Sequence, residues 1–545
     1  MHSLREKIAN RSVVLLLLLM VGFAILGLKF FFVMVIQPYF SDPVSEGEKI
    51  QRQDIPRGKI TDRSGNLLAT SVQKKSLYAN PRQITNPWQV ARALAPHIKR
   101  SPADIYRRLS YKRHFIWLER KLDSLQERRI KELDLEGIGF RSEYERVYPH
   151  GTLAAQIMGI VGLDNRGLEG LEREYDDFLL NRRGDGKFSD YVGDEPPEIR
   201  LTINGTIQHI VEEELNRLAA VERPANAMIV VMEPQTGKIV AMANWPTFDP
   251  NDFSEYPDFN IRNRAIGSSF EPGSTLKVMT IGAGLAEGSY GPEDRFGCDS
   301  LYPVEGTEHV LKCYAAHGSI TIPEILIRSC NVGTVKAVLQ LEPETLYNYL
   351  RDFGFGNRTG IRLPGEARGS LRRPHLWSRL TQPSMAIGQG ISVTALQLTA
   401  ALSAVVNDGQ LLRPRLVKQL RYGDKIVEEP EKFEVRQVFP PEVAGQLRGY
   451  MAEVVRRGTG QRAGSDSYRL AGKTGTAQKA NPELGGYYEN RVLASFIGFG
   501  PVENPRLVAT VVIDEPQRGR YGGEVAAPVF RKIMERSLRY LENIE

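Results

Sequence analysis

Three short clusters of hydroxyl, amine and amide side chains stand out in this 545-residue sequence: Ser274-Thr275-Leu276-Lys277, Ser329-Cys330-Asn331 and Lys473-Thr474-Gly475-Thr476. On a helix, a serine three residues before a lysine shares its face, so the amine can reach the hydroxyl oxygen. A lysine whose pKa is lowered by burial and by a second cation takes the serine proton near neutral pH, and the alkoxide then attacks a carbonyl. Lys277 is the expected base and Lys473 the neighbouring cation. Ser329 is a second hydroxyl placed to bridge Lys277 and a leaving nitrogen, while the Asn331 amide orients Lys277 and a substrate carbonyl. Thr474 and Thr476 offer hydroxyls to a terminal carboxylate beside the charge of Lys473, and Gly475 leaves room for substrate against an edge strand. The backbone N–H groups of Ser274 and Thr476 are the expected oxyanion hole. The chemistry is covalent acyl transfer through a serine ester.

The elements that must position these groups are legible around them. Pro272-Gly273 ends an irregular stretch, and Ser274 to Ala286 then reads as a mostly apolar helix with Ser274 at its N-terminus, where the dipole favours developing negative charge. Order and separation carry the weight, since Ser71-Val72-Gln73-Lys74 and Ser64-Gly65-Asn66 match the first two patterns by chance, in the wrong order and within a strand-turn-strand segment. The main clusters are spaced 55 and 144 residues apart, and the lone Lys-Thr-Gly comes last. Met228 to Met232, a Pro234-Gln235-Thr236-Gly237 turn and Ile239 to Ala243 read as a buried β-hairpin. Helical stretches start near Ser274, Ile322 and Val393; strand-like runs Arg491 to Gly498 and Leu507 to Asp514 precede a terminal helix from Val525 to Tyr540. Strands at both ends with helices between them predict an α+β domain whose sheet is assembled from distant segments. From Trp88 to Leu135 the pattern reads as helical and highly charged.

Composition bounds the rest. Apolar residues make up 41% and charged residues 25%, which excludes a disordered, collagen-like or polytopic membrane chain. A net charge of +6 over this length, without a basic run, argues against nucleic acid as a partner. Val13 to Ile36 is almost wholly apolar, and 24 residues at about 1.5 Å each span a hydrocarbon core of about 30 Å. Arg5, Lys7 and Arg11 precede it and Asp42, Glu46 and Glu48 follow it, so the positive-inside rule leaves the N-terminus in the cytoplasm. The expected organisation is a cytoplasmic tail over residues 1–12, a transmembrane signal anchor over 13–36, a noncatalytic pedestal over 45–220 and a catalytic domain over 221–545, outside the cytoplasmic membrane.

No HExxH, GxSxG or phosphate-binding glycine loop occurs, so zinc proteolysis, Ser-His-Asp hydrolysis and nucleotide chemistry lack their signals. The cysteines, Cys298, Cys313 and Cys330, lack CxxC spacing, and the reading assigns no metal and no cofactor. In an oxidising compartment Cys298 and Cys313 are candidates for a disulfide across a short loop, with Cys330 unpaired.

In order and context these motifs resemble the class B penicillin-binding proteins, and the likeness extends to Arg57-Gly58-Lys59-Ile60-Thr61-Asp62-Arg63, to Gly167-Leu168-Glu169-Gly170-Leu171-Glu172 and to Tyr521-Gly522-Gly523. The resemblance implies a penicillin-binding transpeptidase fold, an antiparallel sheet flanked by helices with a helical subdomain, on an elongated dimerisation-like pedestal. It implies a D,D-transpeptidase that cross-links peptidoglycan stem peptides, with β-lactams acylating the same serine. Arg262-Asn263-Arg264 followed by Phe270-Glu271-Pro272-Gly273-Ser274 is most similar to the division-specific FtsI type, which implies septal synthesis with divisome proteins and a membrane glycosyltransferase resembling FtsW as partners. Gly267-Ser268-Ser269 departs from that type and keeps elongation and spore-wall relatives open; a D,D-carboxypeptidase stays open too, because water and amine acceptors differ only in the deacylation pocket. A β-lactamase-like hydrolase needs a deacylating glutamate; Glu212-Glu213-Glu214-Leu215-Asn216 fits that pattern but precedes Ser274 and reads as a charged helix face.

Overall fold

The computed structural model describes residues 56–544 apart from 112, 182–195, 429–435 and 482–485, together with 20, 22, 23 and 29. The expected Val13 to Ile36 anchor falls, but for those four positions, outside the described residues, as does the tail 1–12. Among the described residues no helix is long and apolar enough to cross a membrane. The chain gathers into two compact units, one containing residues 74–144 and the other residues 56–73 and 145–545.

In the smaller unit, helices Pro87–Leu94, Pro102–Leu109 and Ser124–Lys131 pack with strand Ile116–Leu122 over a core that includes Leu77, Leu94, Ile105 and Leu118. Each helix starts at a polar cap: the side chains of Asn86 and Ser101 accept from Gln89 N and Asp104 N, and Asp123 with Gln126 closes a capping box. Strand Ile116–Leu122 corrects the helical reading of this region. It pairs antiparallel with the second half of Leu67–Ala79, Lys75 opposite Leu122 and Ala79 opposite Ile116. Its two buried residues, Leu118 and Leu122, are four apart, a spacing that a helix face and a strand face both satisfy.

In the larger unit, Lys59–Thr61 lies between Leu67–Ala79, antiparallel with Ile60 opposite Ala69, and Pro197–Leu201, parallel with Ile60 opposite Ile199. The expected Ser64-Gly65-Asn66 turn joins the first two: Asp62 Oδ1 accepts from the N–H groups of Ser64 and Asn66 at 2.8 and 2.9 Å. Asp62 Oδ2 also accepts from Gly205 N, at the start of helix Gly205–Glu222, and Arg63 Nη1 pairs with Glu233 Oε1 at 2.8 Å. Arg57 is buried between Glu172 Oε2 (2.9 Å) and Asp176 Oδ1 (2.6 Å), and Arg146 Nε meets the other Glu172 oxygen at 2.6 Å. Arg57 of the first N-terminal motif and Glu172 of the second are therefore partners of one another.

A five-stranded antiparallel sheet dominates this unit, in the spatial order Ala471–Ala480, Tyr487–Gly500, Leu507–Asp514, Asn226–Met232, Ile239–Trp245. The expected hairpin thus joins strands from nearly 280 residues downstream. Alternation splits the sheet's side chains between two faces. Ala227, Ile229 and Val231 join the layer of helices Gly205–Glu222 and Gly522–Ile544, through Val211, Leu215, Phe530 and Ile533. Met228, Val230 and Met232 face the other way, into a core with Leu398 and Leu402 of helix Ala395–Val406 and the helices around Ser274. Burial on both faces explains why these strands read as continuous apolar runs.

Candidate active site

The site forms where the helical layer meets the sheet edge. Ser274 lies on a single 3₁₀ turn, Gly273–Thr275, followed by helix Lys277–Ala286, so the expected continuous helix from Ser274 is instead a tightened turn leading into one. Gly273 has φ +56 and donates to Gly388 O at 3.0 Å, a conformation that a side chain would strain. The turn leaves Ser274 partly exposed while Lys277, one helical turn on, is fully buried. The Lys277 ammonium donates to Asn331 Oδ1 at 2.6 Å and to Ser329 O at 2.8 Å. Burial pushes its pKa down to about 8.

Ser329, with φ +54, is a tight left-handed corner before helix Asn331–Val338, and this turns its carbonyl toward Lys277 and its hydroxyl toward the sheet. Lys473 Nζ donates to Ser329 Oγ at 2.8 Å and to Thr474 O at 3.0 Å. Ser329 therefore bridges the two amines, carbonyl to Lys277 and hydroxyl to Lys473. Lys473 is also wholly buried, and burial together with the nearby Lys277 drives its pKa well down. Among the described residues no carboxylate is a hydrogen-bond partner of either amine. Burial therefore disfavours the charged form of Lys473, and an anion entering beside it would favour that form again.

Ala471–Ala480 is the sheet's edge strand, as expected, and it lies against the serine turn. Gly475 explains how: a Cβ there would sit 2.3 Å from Ser495 Oγ, 2.8 Å from Thr275 Cγ2 and 3.1 Å from Pro272 O. On the side where a Cβ would project the protein itself fills the space, and the glycine lets strand and serine turn close on each other. Thr474 Oγ1 shares a hydrogen bond with Thr459 Oγ1 at 2.8 Å, and Thr476 Oγ1 accepts from Gly522 N at 3.1 Å. Thr476 is only partly buried and Thr474 nearly fully. All eight predicted residues are thus gathered on the serine turn, the Ser329 corner and one edge strand. A serine nucleophile, two depressed amines, a hydroxyl bridge and a half-open edge strand can carry out acyl transfer to and from the serine.

Residues 227–535 match the family of the penicillin binding protein transpeptidase domain, and residues 52–189 match the penicillin-binding protein dimerisation domain. The chain belongs to the class B penicillin-binding proteins. It is similar to stage V sporulation protein D of Bacillus subtilis, 36% identical over 88% of this chain and 78% of that protein. It also resembles the peptidoglycan D,D-transpeptidase FtsI of Escherichia coli K12, at 32% identity over 92% and 87% of the two chains. Among solved structures, penicillin-binding protein 3 of Mycobacterium tuberculosis in complex with aztreonam shares the fold with a TM-score of 0.71 at 29% identity, covering 89% of this chain and 97% of that one.

In this penicillin-binding protein the structural roles of several supporting residues escaped the sequence reading. Glu271 Oε1 accepts from Gly390 N at 2.8 Å and from Tyr487 OH at 3.3 Å, which ties the approach to Ser274 to two other segments. Burial raises the Glu271 pKa. The Gly388-Gln389-Gly390 run was the available signal, because Gly388 packs directly on Gly273, where a Cβ would meet its carbonyl at 2.0 Å. Gly522 is similar: its Cβ position is 2.2 Å from Ser495 O and 2.3 Å from Gly475 O, so the terminal helix starts directly on the edge strands. The glutamates of the hydrolase-like pattern are engaged elsewhere. Glu213 and Glu214 pair with Arg536 of the terminal helix at 2.6 Å each, and Glu212 Oε1 accepts from Ala154 N. The three cysteines are free thiols. Cys313 Sγ lies 3.5 Å from Cys330 Sγ, and Cys298, the expected partner of Cys313, has its sulfur 3.5 Å from His317 Nδ1.

Proposed function

We propose that this class B penicillin-binding protein cross-links peptidoglycan stem peptides at the division septum, with Ser274 as nucleophile and Lys277 as its base. The observation that carries the catalytic reading is the buried Lys277 amine, held by Asn331 Oδ1 and Ser329 O and lowered to about 8. A neutral Lys277 takes the Ser274 proton as the oxygen attacks the carbonyl of the penultimate D-alanine. The tetrahedral oxyanion is received by the N–H groups of Ser274 and Thr476, where the serine turn and edge strand meet. The Ser329 hydroxyl, already accepting from Lys473, passes its proton to the departing D-alanine nitrogen and receives the one Lys277 took from Ser274, so Lys277 is neutral again and the ester remains on Ser274. The substrate's terminal carboxylate enters beside Thr474, Thr476 and Lys473, and its charge favours the protonated form of Lys473 that burial disfavours. An amine of a neighbouring strand then attacks the ester, Lys277 takes its proton and returns it to the leaving Ser274 oxygen, and the cross-link forms as the free serine is restored. β-Lactams present the same acyl carbon with a leaving group that stays tethered, so the ester persists.

The finer assignments belong to this proposal. Residues 13–36 anchor the chain in the cytoplasmic membrane with residues 1–12 inside, residues 45–220 form the pedestal and residues 221–545 the catalytic domain outside. The septal role rests on the Arg262-Asn263-Arg264 and Phe270-Glu271-Pro272-Gly273 pattern and on the FtsI relative, with a FtsW-like glycosyltransferase as partner. A spore-wall role is the second reading, favoured by the identity to stage V sporulation protein D. Depleting the protein in its own cells separates them: filaments with unfinished septa support septal synthesis, whereas normal division with defective spores supports the second. For the chemistry, the full chain in detergent is given a D-alanyl thioester with and without a D-amino acid. Transfer to the amine in preference to water is expected; hydrolysis alone would make it a carboxypeptidase.

A further inference from the structure

Four metal-ligating side chains that the transpeptidase chemistry does not use converge beside its second motif. The sulfurs of Cys298, Cys313 and Cys330 and a ring nitrogen of His317 lie within 4.8 Å of one another. Cys298 Sγ is 3.5 Å from His317 Nδ1, and Cys313 Sγ is 3.5 Å from Cys330 Sγ. In a tetrahedral zinc site with Zn–S near 2.3 Å, neighbouring sulfurs stand roughly 3.8 Å apart. The four atoms therefore need to draw together by at most about 1 Å to surround one ion. Backbone donors already face the sulfurs: Asn331 N and Gly333 N, at the start of helix Asn331–Val338, approach Cys313 Sγ and Cys330 Sγ at 3.0 and 3.1 Å. Such N–H groups favour a thiolate over a thiol. The other ring nitrogen of His317, Nε2, is buried without a hydrogen-bond partner.

The ligands come from three segments held by the fold. Strand Arg295–Cys298 pairs with Gly318–Thr321, placing Cys298 opposite Gly318, and His317 N donates to Cys298 O at 3.0 Å. Cys313 N donates to Ser300 O at 2.8 Å, and Cys330 caps the helix that begins at Asn331. We propose that Cys298, Cys313, His317 and Cys330 form a Cys₃His site for a zinc ion, which braces the loop 298–317 against the segment carrying Ser329 and Asn331. Three thiolates and an imidazole in a closed tetrahedron suit zinc and leave no open position, so the ion is structural and takes no part in acyl transfer. Its reach into the active site is short. Asn331 N donates to Cys313 Sγ, Asn331 Nδ2 donates to Lys312 O at 2.7 Å, and Asn331 Oδ1 accepts from Lys277. The absence of CxxC spacing hid the site, although Cys313 and His317 stand four residues apart, a common ligand separation.

The test uses the full chain in detergent, purified under reducing conditions without a metal-affinity tag and equilibrated with micromolar zinc or cobalt. One zinc per chain is expected, with a zinc-dependent rise in Tm, and cobalt should give thiolate charge-transfer and intense tetrahedral d–d bands. Cys298→Ser and His317→Ala, chosen outside the catalytic motifs, should each weaken zinc binding at least about tenfold and lose the zinc-dependent Tm rise. If those variants fail to fold, the cobalt spectrum of the unmodified chain decides. No bound zinc, a weak octahedral cobalt spectrum, or undiminished zinc in both variants overturns the site. So does a Cys313–Cys330 disulfide without zinc in protein isolated from cells in the absence of reductant.

Discussion

Lys277 and Lys473 are two buried amines that share one serine and, among the described residues, have no acidic hydrogen-bond partner; in the proposed mechanism their protonation governs what Ser274 can do. Lys277 accepts the Ser274 proton only when neutral, and its pKa is lowered to about 8, so the neutral fraction grows as pH rises through that value. Acylation by benzylpenicillin should therefore accelerate about tenfold per pH unit below roughly pH 8 and level off above it. Rates from intact-mass time courses check this, and a flat profile would remove Lys277 from the base role. Lys473→Met keeps the volume while removing an amine that is costly to bury. Tm should hold or rise, yet acylation should fall at least about 100-fold because Ser329 Oγ loses its donor. Fluorescent-penicillin labelling beside thermal melting separates the two effects. At this scale the sequence was informative about which residues gather and less so about their state. Order and spacing pointed to Ser274, Lys277, Ser329, Asn331 and Lys473, whereas the lowered pKa of Lys473 depends on its depth of burial, which no spacing encodes.

Between elements, the site depends on glycines at crossing points. Gly475 lets the edge strand close on the serine turn, and Gly522 lets the terminal helix start against Ser495 O and Gly475 O. Gly522→Ala should cost about 1–3 kcal/mol, the usual penalty for overpacking, because backbone on both sides blocks the added methyl. Denaturant melts should show that loss together with slower acylation, since the edge strand must shift; an unchanged midpoint and rate would mean the crossing is looser than the distances imply. Elements with one dominant signal were readable in advance. The hairpin Asn226–Met232 and Ile239–Trp245 and the strand Leu507–Asp514 are runs of apolar residues too short for helices of their own. The strand Ile116–Leu122 was not readable, because its buried leucines fit either period and its neighbours are charged. The Gly388-Gln389-Gly390 run signals a turn but not that Gly388 packs on Gly273, since a glycine shows that a turn is permitted, not what lies against it.

Across the larger unit, residues far apart in sequence are joined by buried charge. Glu172 receives Arg57 and Arg146 together, all three almost completely buried, and Arg57 also donates to Asn165 O at 3.0 Å. Glu172→Ala leaves two buried guanidinium groups short of their carboxylate, and should lower stability by about 3–5 kcal/mol. The acylation rate of the folded fraction should stay the same, because none of these residues touches the site; calorimetry alongside penicillin labelling would show both, and a stability within error of the parent would mean the network is inert. The two N-terminal motifs were visible in the sequence as patterns, but their mutual partnership was not, since the pair Arg57 and Glu172 lies 115 residues apart. The central claim, that Ser274 forms the acyl-enzyme, has a direct test. The intact mass of the full chain in detergent is measured after incubation with benzylpenicillin, beside the Ser274→Ala variant. The account predicts a persistent one-to-one adduct on the unmodified chain and none on the variant. An equal adduct on the variant, or rapid turnover of the drug without one, would contradict it.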